Sequence, residues 1–274
     1  MAMDLSRTTE IVVPLDGRAA GLRALPVAER LTSRLSLGLR LFAAGVADSE
    51  HILDWMAAQA RDLLNRIDFE MTTVAAHDPV SSIIEAASPS GLVCMATAGS
   101  LLPHQGHVGS VAEGVVRQGG RPVFLVGPRM TAEPGAHTSK IVVPVDGSER
   151  SEAVIELAAD LANRLDVPMW VVSAVPAGAE NRVHALLGGS GQTGEAGYVR
   201  RLAAEAGERY DIRTEFEVLH IDDPAEAIVD FAGDDGTVVM STHGRSGLNR
   251  VFGGSVASGV VSRSRRAVLV WRPH

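Results

Sequence analysis

The stretch Met240-Ser-Thr-His-Gly-Arg-Ser-Gly-Leu-Asn-Arg-Val-Phe-Gly-Gly-Ser-Val256 decides how the rest of the chain is interpreted. It follows the short β-branched run Thr237-Val-Val-Met240, and the residues after it have apolar side chains at helical spacing. The pattern predicts a strand, a glycine-rich loop, and a helix that begins near Ser255. A helix start carries unpaired N–H groups and the positive end of the helix dipole, so it suits a phosphate. The alternative is that Ser255 only caps the helix.

The charge around this stretch favours an anionic ligand. From Thr237 to His274 the chain has six arginines and no aspartate or glutamate, although its formal net charge is −8. Such a local excess of positive charge in an acidic protein attracts anions. The phosphate-gripping lysine of a P-loop is missing, since Lys140 is the only lysine in the sequence.

The same loop occurs a second time, in Met95-Ala-Thr-Ala-Gly-Ser-Leu-Leu-Pro-His-Gln-Gly-His-Val-Gly-Ser-Val111. A second element is also doubled, because Ile11-Val-Val-Pro-Leu-Asp16 matches Ile141-Val-Val-Pro-Val-Asp146. The copies of this strand are 130 residues apart, whereas the copies of the loop are 145 apart, which places an insert of about 15 residues around 178–197. Alternating strands and helices predict a parallel sheet with helices on both faces.

With these elements the chain resembles the universal stress protein family over nearly its whole length. The family's nucleotide loop reads Gly-x2-Gly-x9-Gly-Ser/Thr, and each domain opens with a strand that runs into Pro-x-Asp. Here Ser241 and Ala96 stand at the first glycine of the loop, and both are small enough for the backbone to approach a ligand. The resemblance and the doubled pattern imply two tandem Rossmann-like α/β domains, residues 8–128 and 139–274, joined by a linker at 129–139.

The resemblance implies a doubly wound, five-stranded parallel sheet in each domain, with strand order 3-2-1-4-5. We expect the last strands, 121–127 and 267–272, to lie at sheet edges and to pair across a pseudo-two-fold axis. That pairing joins either the two domains of one chain or two chains in a homodimer.

The resemblance also implies an adenine nucleotide site in the second domain. The backbones of Val145 and Ala174 would contact adenine, and Met240 and Ser241 would lie by the ribose. The residues implied for the phosphates belong to the loop and the helix start: Gly244, Arg245, Gly254, Ser255 and Val256. The strand end adds Pro144 and Asp146.

The first domain offers the matching positions. These are Pro14, Leu15, Asp16, Met95, Gly99, Gly109, Ser110 and Val111. The aspartate that ends the first strand of each domain, Asp16 or Asp146, is a candidate to meet the nucleotide or to hold a metal ion beside the phosphates. The alternative for both is a turn, because each is followed by glycine. We expect the second site to bind more tightly, because its loop has two arginines whereas the first loop has none and contains Pro103.

Composition limits the remaining function classes. A net charge of −8 argues against non-specific binding to nucleic acid or to anionic membranes. The single cysteine, Cys94, excludes an internal disulfide and is predicted to be a buried, inert thiol. The first residues have no apolar signal region, and no apolar run is long enough to span a membrane, so we expect a soluble cytoplasmic protein.

Three other motifs are weak. His104-x2-His107 lacks a third metal ligand, and His243 in the second loop is either a ligand contact or a solvated side chain. Gly189-Ser-Gly-Gln-Thr-Gly194 has the spacing of a dinucleotide fingerprint but does not follow a strand, so we interpret it as a loop, with a lid over the second site as the alternative.

The leading hypothesis is a regulatory protein that binds ATP, with Mg²⁺ as a candidate companion, and that responds to cellular energy or stress. One alternative is an enzyme that hydrolyses ATP slowly or adenylates a substrate, but no motif supplies a strong general base. Another is a dimerisation module that has lost its ligand.

Overall fold

The computed structural model describes residues 5–44, 50–64, 68–74, 78–97, 108–130, 137–175, 194–242 and 255–273. Most of the insert predicted at 178–197 lies outside these residues, as do the motif Gly189–Gly194 and the histidines 104, 107 and 243. The interpretations of these segments stay predictions.

The described ranges contain ten strands and nine α-helices. The strands are β1 (Glu10–Leu15), β2 (Gly38–Ala44), β3 (Glu70–Val74), β4 (Gly91–Ala96), β5 (Val123–Val126), β6 (Lys140–Pro144), β7 (Met169–Val175), β8 (Thr214–His220), β9 (Gly236–Ser241) and β10 (Val268–Trp271). The helices are α1 (Leu25–Leu35), α2 (Glu50–Leu63), α3 (Pro79–Ala86), α4 (Ser110–Gln118), α5 (Glu149–Glu152), α6 (Ile155–Leu165), α7 (Glu195–Tyr210), α8 (Pro224–Ala232) and α9 (Ser255–Arg263). Short 3-10 helices form at Leu5–Arg7 and Gly21–Ala24.

The strands form one sheet in the order β3-β2-β1-β4-β5-β10-β9-β6-β7-β8. Neighbours run parallel within β1 to β5 and within β6 to β10. Each half therefore has five parallel strands in the order 3-2-1-4-5, which confirms the predicted α/β fold of two Rossmann-like units. The two halves share one continuous sheet, which shows no boundary between separate domains. The predicted domain limits, 8–128 and 139–274, therefore stay predictions.

The two halves meet where β5 and β10 pair antiparallel, with Leu269 opposite Phe124. Every residue of both strands is buried. The indole N–H of Trp271 also donates to the carbonyl of Gly120 at 3.3 Å. The predicted pairing of the last strands thus takes place within one chain. It occurs there because two short apolar edge strands cover each other's unpaired main-chain groups.

A hydrophobic core lies on each face of the sheet. Along β1, Ile11 and Val13 belong to one core and Val12 to the other, as the two-residue period of a strand requires. Helices α1, α2, α6 and α7 cover the first core, and α3, α4, α8 and α9 cover the second. Both cores extend through both halves, so burial of apolar side chains also holds the halves together.

Helices α3 and α8 each begin at an Asp-Pro pair, a sequence that favours a helix start. Asp78 and Asp223 occupy the N-cap positions, and each precedes a proline in the first turn, where a backbone N–H is not needed. The Oδ1 atom of Asp223 accepts the N–H of Ala225 at 3.0 Å. The same carboxylate receives a 2.6 Å bond from Arg263, which connects the start of α8 to the last turn of α9.

Arg263→Gln is expected to lower the free energy of unfolding by about 0.5–1 kcal/mol at neutral pH, because the Arg263–Asp223 pair is partly exposed and screened. The hydrogen bond from Arg263 holds the pKa of Asp223 below its ordinary value. A lowered folded-state pKa stabilises the protein above the ordinary carboxyl pKa of about 4, and this contribution is lost as pH falls through the lowered value. Urea unfolding between pH 2 and 7 measures both effects. Arg265→Gln, which removes a more exposed pair with Asp234, is the matched control and should change stability little.

Candidate functional site

A crevice opens between β6 and β9 at their carboxyl ends. The two strands pair from Lys140 opposite Gly236 to Val142 opposite Val238, although β6 continues to Pro144 and β9 to Ser241. The chain leaving β6 packs its helix on one face of the sheet, and the chain leaving β9 packs its helix on the other. The crevice is therefore the switch point at which doubly wound sheets bind ligands.

The pairing of β6 with β9 ends before Pro144, in part because proline has no N–H to donate to the neighbouring strand. The next residue, Val145, is 4% exposed, and its N–H donates to the carbonyl of Val172 at 2.8 Å. Because this N–H is already hydrogen-bonded, a ligand would contact the carbonyl of Val145 instead. This narrows the contact that the family resemblance implied.

The backbone of Ala174 faces the crevice. In a parallel sheet the N–H and C=O of one residue point to the same neighbouring strand, and the direction repeats every second residue. Val172 directs its carbonyl toward β6, so Ala174 directs its main chain to the same side. The register between β6 and β7 ends at Pro144 opposite Val172. The N–H and C=O of Ala174 consequently lie beyond the end of β6, where a ligand would meet one donor and one acceptor.

Asp146 holds a turn at the edge of the crevice. Its Oδ1 atom accepts the Ser148 N–H at 3.1 Å and the Ser148 hydroxyl at 2.6 Å. Its own N–H donates to the hydroxyl of Ser151 at 3.2 Å. These are the contacts expected if Asp146 stabilises a turn. Contact of Asp146 with a nucleotide or a metal stays a prediction.

The β9 side of the crevice is buried. Met240 and Ser241 are 6% and 8% exposed, and Ser241 pairs with Trp271 of β10. Ser255 starts α9, and Val256 is half-buried in its first turn, so the helix begins where the sequence predicted. Gly244, Arg245 and Gly254 lie outside the described residues.

A similar crevice opens in the first half. β1 and β4 pair only from Glu10 to Val12, although β1 continues through Pro14 to Leu15 and β4 continues through Met95 to Ala96. Asp16 is exposed and accepts the N–H of Arg18 at 3.1 Å, so it also forms a turn. Gly109 has a φ of 97° directly before α4, which Ser110 and Val111 begin. Gly99 lies outside the described residues.

A polar network lies at the entrance of the second crevice, among residues that no sequence motif singled out. The Tyr198 hydroxyl donates to Glu152 at 2.8 Å, and the Ser173 hydroxyl donates to Glu195. Burial, and then the Glu152 carboxylate, raise the pKa of the Tyr198 phenol, so it stays protonated and donates. Glu195 and Tyr198 lie in the first turn of α7, which the network connects to β7 and α5. No periodic pattern could reveal these contacts, because α7 follows the insert.

Three further features concern the described parts of the chain: metal ligands, long apolar helices and the single cysteine. They contain no group of three His, Cys, Asp or Glu side chains placed to hold a metal ion. None of the helices found there is long and apolar enough to cross a membrane. Cys94 is fully buried, as predicted, and burial raises the pKa of its thiol to about 12.

Known proteins with related sequences are universal stress proteins. The model of the universal stress protein family matches residues 137–272. A universal stress protein of Mycobacterium tuberculosis is 30% identical over 198 residues, which cover 71% of this chain and 66% of that protein. Another, of Methanocaldococcus jannaschii, is 32% identical over 142 residues, which cover 48% of this chain and 80% of that protein.

Solved structures agree in fold. A universal stress protein of Archaeoglobus fulgidus has a TM-score of 0.64 at 16% identity, with 98% of both chains covered. A functionally unknown protein of Pseudomonas aeruginosa has a TM-score of 0.63 at 17% identity, with 98% of this chain and 94% of that chain covered. The sequence relatives and the shared fold confirm the resemblance: the chain belongs to the universal stress protein family.

Proposed function

We propose that this protein binds ATP in the crevice of its second half and acts as a nucleotide-responsive regulatory protein in a stress response. The observation that carries the proposal is the open main chain of Ala174 beyond the last pairing of β6 with β7. A donor and an acceptor held side by side on a rigid strand match the edge of adenine, where N1 accepts and the 6-amino group donates.

The rest of the crevice suits the rest of ATP. The buried end of β9 at Met240 and Ser241 offers a shelf for the ribose. The start of α9 at Ser255 would offer backbone N–H groups of a first helical turn and the positive end of a helix dipole to the phosphates. Arg245 and Arg250 lie in the sequence directly before that helix and add positive charge. Mg²⁺ would accompany the phosphates, with Asp146 as its candidate protein ligand.

ATP titration into nucleotide-free protein by isothermal calorimetry tests the proposal. Saturable binding of ATP is expected, and nucleotide released on heat denaturation of freshly purified protein should be adenine nucleotide. Absence of ATP binding with and without Mg²⁺ would leave the dimerisation module as the better hypothesis. Phosphate or pyrophosphate release over many turnovers under excess ATP and Mg²⁺ would instead favour the hydrolysing or adenylating enzyme.

A further inference from the structure

Arg23 crosses the crevice of the first half. It lies in the 3-10 helix Gly21–Ala24 that follows β1, and its Nη2 atom donates to the carbonyl of Thr97 at 2.8 Å. Thr97 is the residue directly after β4 and is 2% exposed. The contact therefore joins the chain leaving β1 to the chain leaving β4, the two strands whose ends separate to form the crevice.

The guanidinium of Arg23 is inserted rather than spread on the surface. Its Nε atom is buried and has no hydrogen-bond partner among the described residues. A buried donor without a partner is costly, so this position is held by the surrounding structure rather than by solvation of the charge. Thr97 is fixed in turn, because its N–H donates to the carbonyl of Val126 at 2.9 Å.

The second half has a small side chain at the same place. Helices α1 and α6 both end at a left-handed residue, Ser36 with a φ of 55° and Asp166 with a φ of 53°, which fixes the alignment of the two segments. On that alignment Ala153 stands where the first half has Arg23. A methyl group is too short to bridge the strand ends, so the side chain at this position does not bar the second crevice.

We propose that Arg23 closes the first crevice with the protein's own side chain, so that each chain binds a single nucleotide, in its second half. The inference rests on the proposed ATP site and assigns to Arg23 the choice between the two crevices. Arg23 takes the space that a ribose would need beside the end of β4. The first loop, from Ala96 to Ser110, contains no lysine or arginine that would attract phosphate strongly enough to displace it.

A reciprocal pair of substitutions tests the closure, with ATP stoichiometry measured by isothermal calorimetry. Wild-type protein is expected to bind one ATP per chain. Arg23→Ala should open the first crevice and add a second equivalent. Ala153→Arg should bar the second crevice and weaken ATP binding by about tenfold or more. Arg18→Ala is the control, because Arg18 is an exposed arginine close in sequence whose side chain pairs with Asp16 at 3.7 Å.

The outcomes separate the closure from the proposed function. Two equivalents on the wild type would overturn the closure, and loss of an equivalent in Arg23→Ala would also overturn it, by making Arg23 a contact of the nucleotide. One equivalent on the wild type and on Arg23→Ala alike would also overturn it, while leaving the ATP site intact. If the wild type binds no ATP, the proposed function fails, and the closure then stands only if Arg23→Ala binds one equivalent. Circular dichroism and thermal melts confirm that each variant is folded.

Discussion

Gly127→Ala is expected to lower the free energy of unfolding by about 3 kcal/mol, because the added methyl overpacks the joint between the halves. A Cβ atom at Gly127 would lie 2.0 Å from the carbonyl oxygen of Val261. Gly127 follows β5 of the first half, whereas Val261 lies in the last turn of α9 of the second half. The obstacle is backbone rather than a flexible side chain, so one element must move. Guanidinium-induced unfolding followed by circular dichroism measures the loss.

Gly197→Ala is the matched control for this substitution. Gly197 lies in α7, and a Cβ atom there would have no neighbouring atom within 4 Å. Alanine within a helix is better than glycine by up to about 1 kcal/mol, and less in a first turn, so this variant should be at least as stable as the wild type. A Gly127→Ala protein as stable as the wild type would mean that α9 moves away from β5 without cost. The packing of the two halves would then not depend on this contact.

The architecture of each half could be predicted from the sequence because its signals are local. Short β-branched runs, helical spacing and an Asp-Pro helix start at Asp78 and Asp223 each specify one element within a few residues. The doubling of those signals indicated two similar units. The residue pattern also predicts a strand over 39–46 and a helix over 50–66. The observed β2 agrees with the first as far as Ala44 and α2 with the second as far as Leu63, and residues 45–46 and 65–66 lie outside the described residues. Apolar spacing also predicts a helix over 19–35, but this segment begins with the 3-10 helix Gly21–Ala24, a distinction that apolar spacing alone does not make.

The contacts that distinguish the two crevices could not be predicted in the same way. Arg23 and Thr97 are far apart in sequence, and an arginine near a helix start usually indicates a solvated surface. Glu152 and Tyr198 are separated by the insert, so no spacing connects them. The 130-residue offset between the two halves aligns Arg23 with Ala153. The consequence of this difference becomes visible only in the fold, where the strand ends separate to form a crevice that Arg23 crosses. Local patterns specify elements, whereas the choice of ligand depends on side chains that the fold brings together.

Ala174→Pro should test whether the main chain of β7 recognises adenine. Proline removes the N–H that faces the crevice. It leaves the hydrogen bonds between β7 and β8 in place, because those belong to the residues on either side, such as Val175, whose carbonyl accepts the N–H of Ile221. The preceding Ser173 already has the extended backbone that a following proline requires. The substitution therefore removes one donor from the proposed site at small expected cost to the sheet.

ATP affinity is expected to fall by about tenfold or more in Ala174→Pro, because adenine N1 would be buried without a donor, and a loss of about 1.4 kcal/mol is a factor of ten. Preference for ATP over GTP should shrink as well, since guanine carries a proton at N1 that the Ala174 N–H opposes. Ala44→Pro is the matched control, because Ala44 pairs with Val74 at the equivalent place in β2, beside the crevice that Arg23 closes. It should leave affinity and base preference unchanged. Competition titrations with both nucleotides measure these effects. If Ala174→Pro binds ATP as tightly and as selectively as the wild type, the adenine ring is not recognised by β7, and the carbonyl of Val145 becomes the next main-chain group to test.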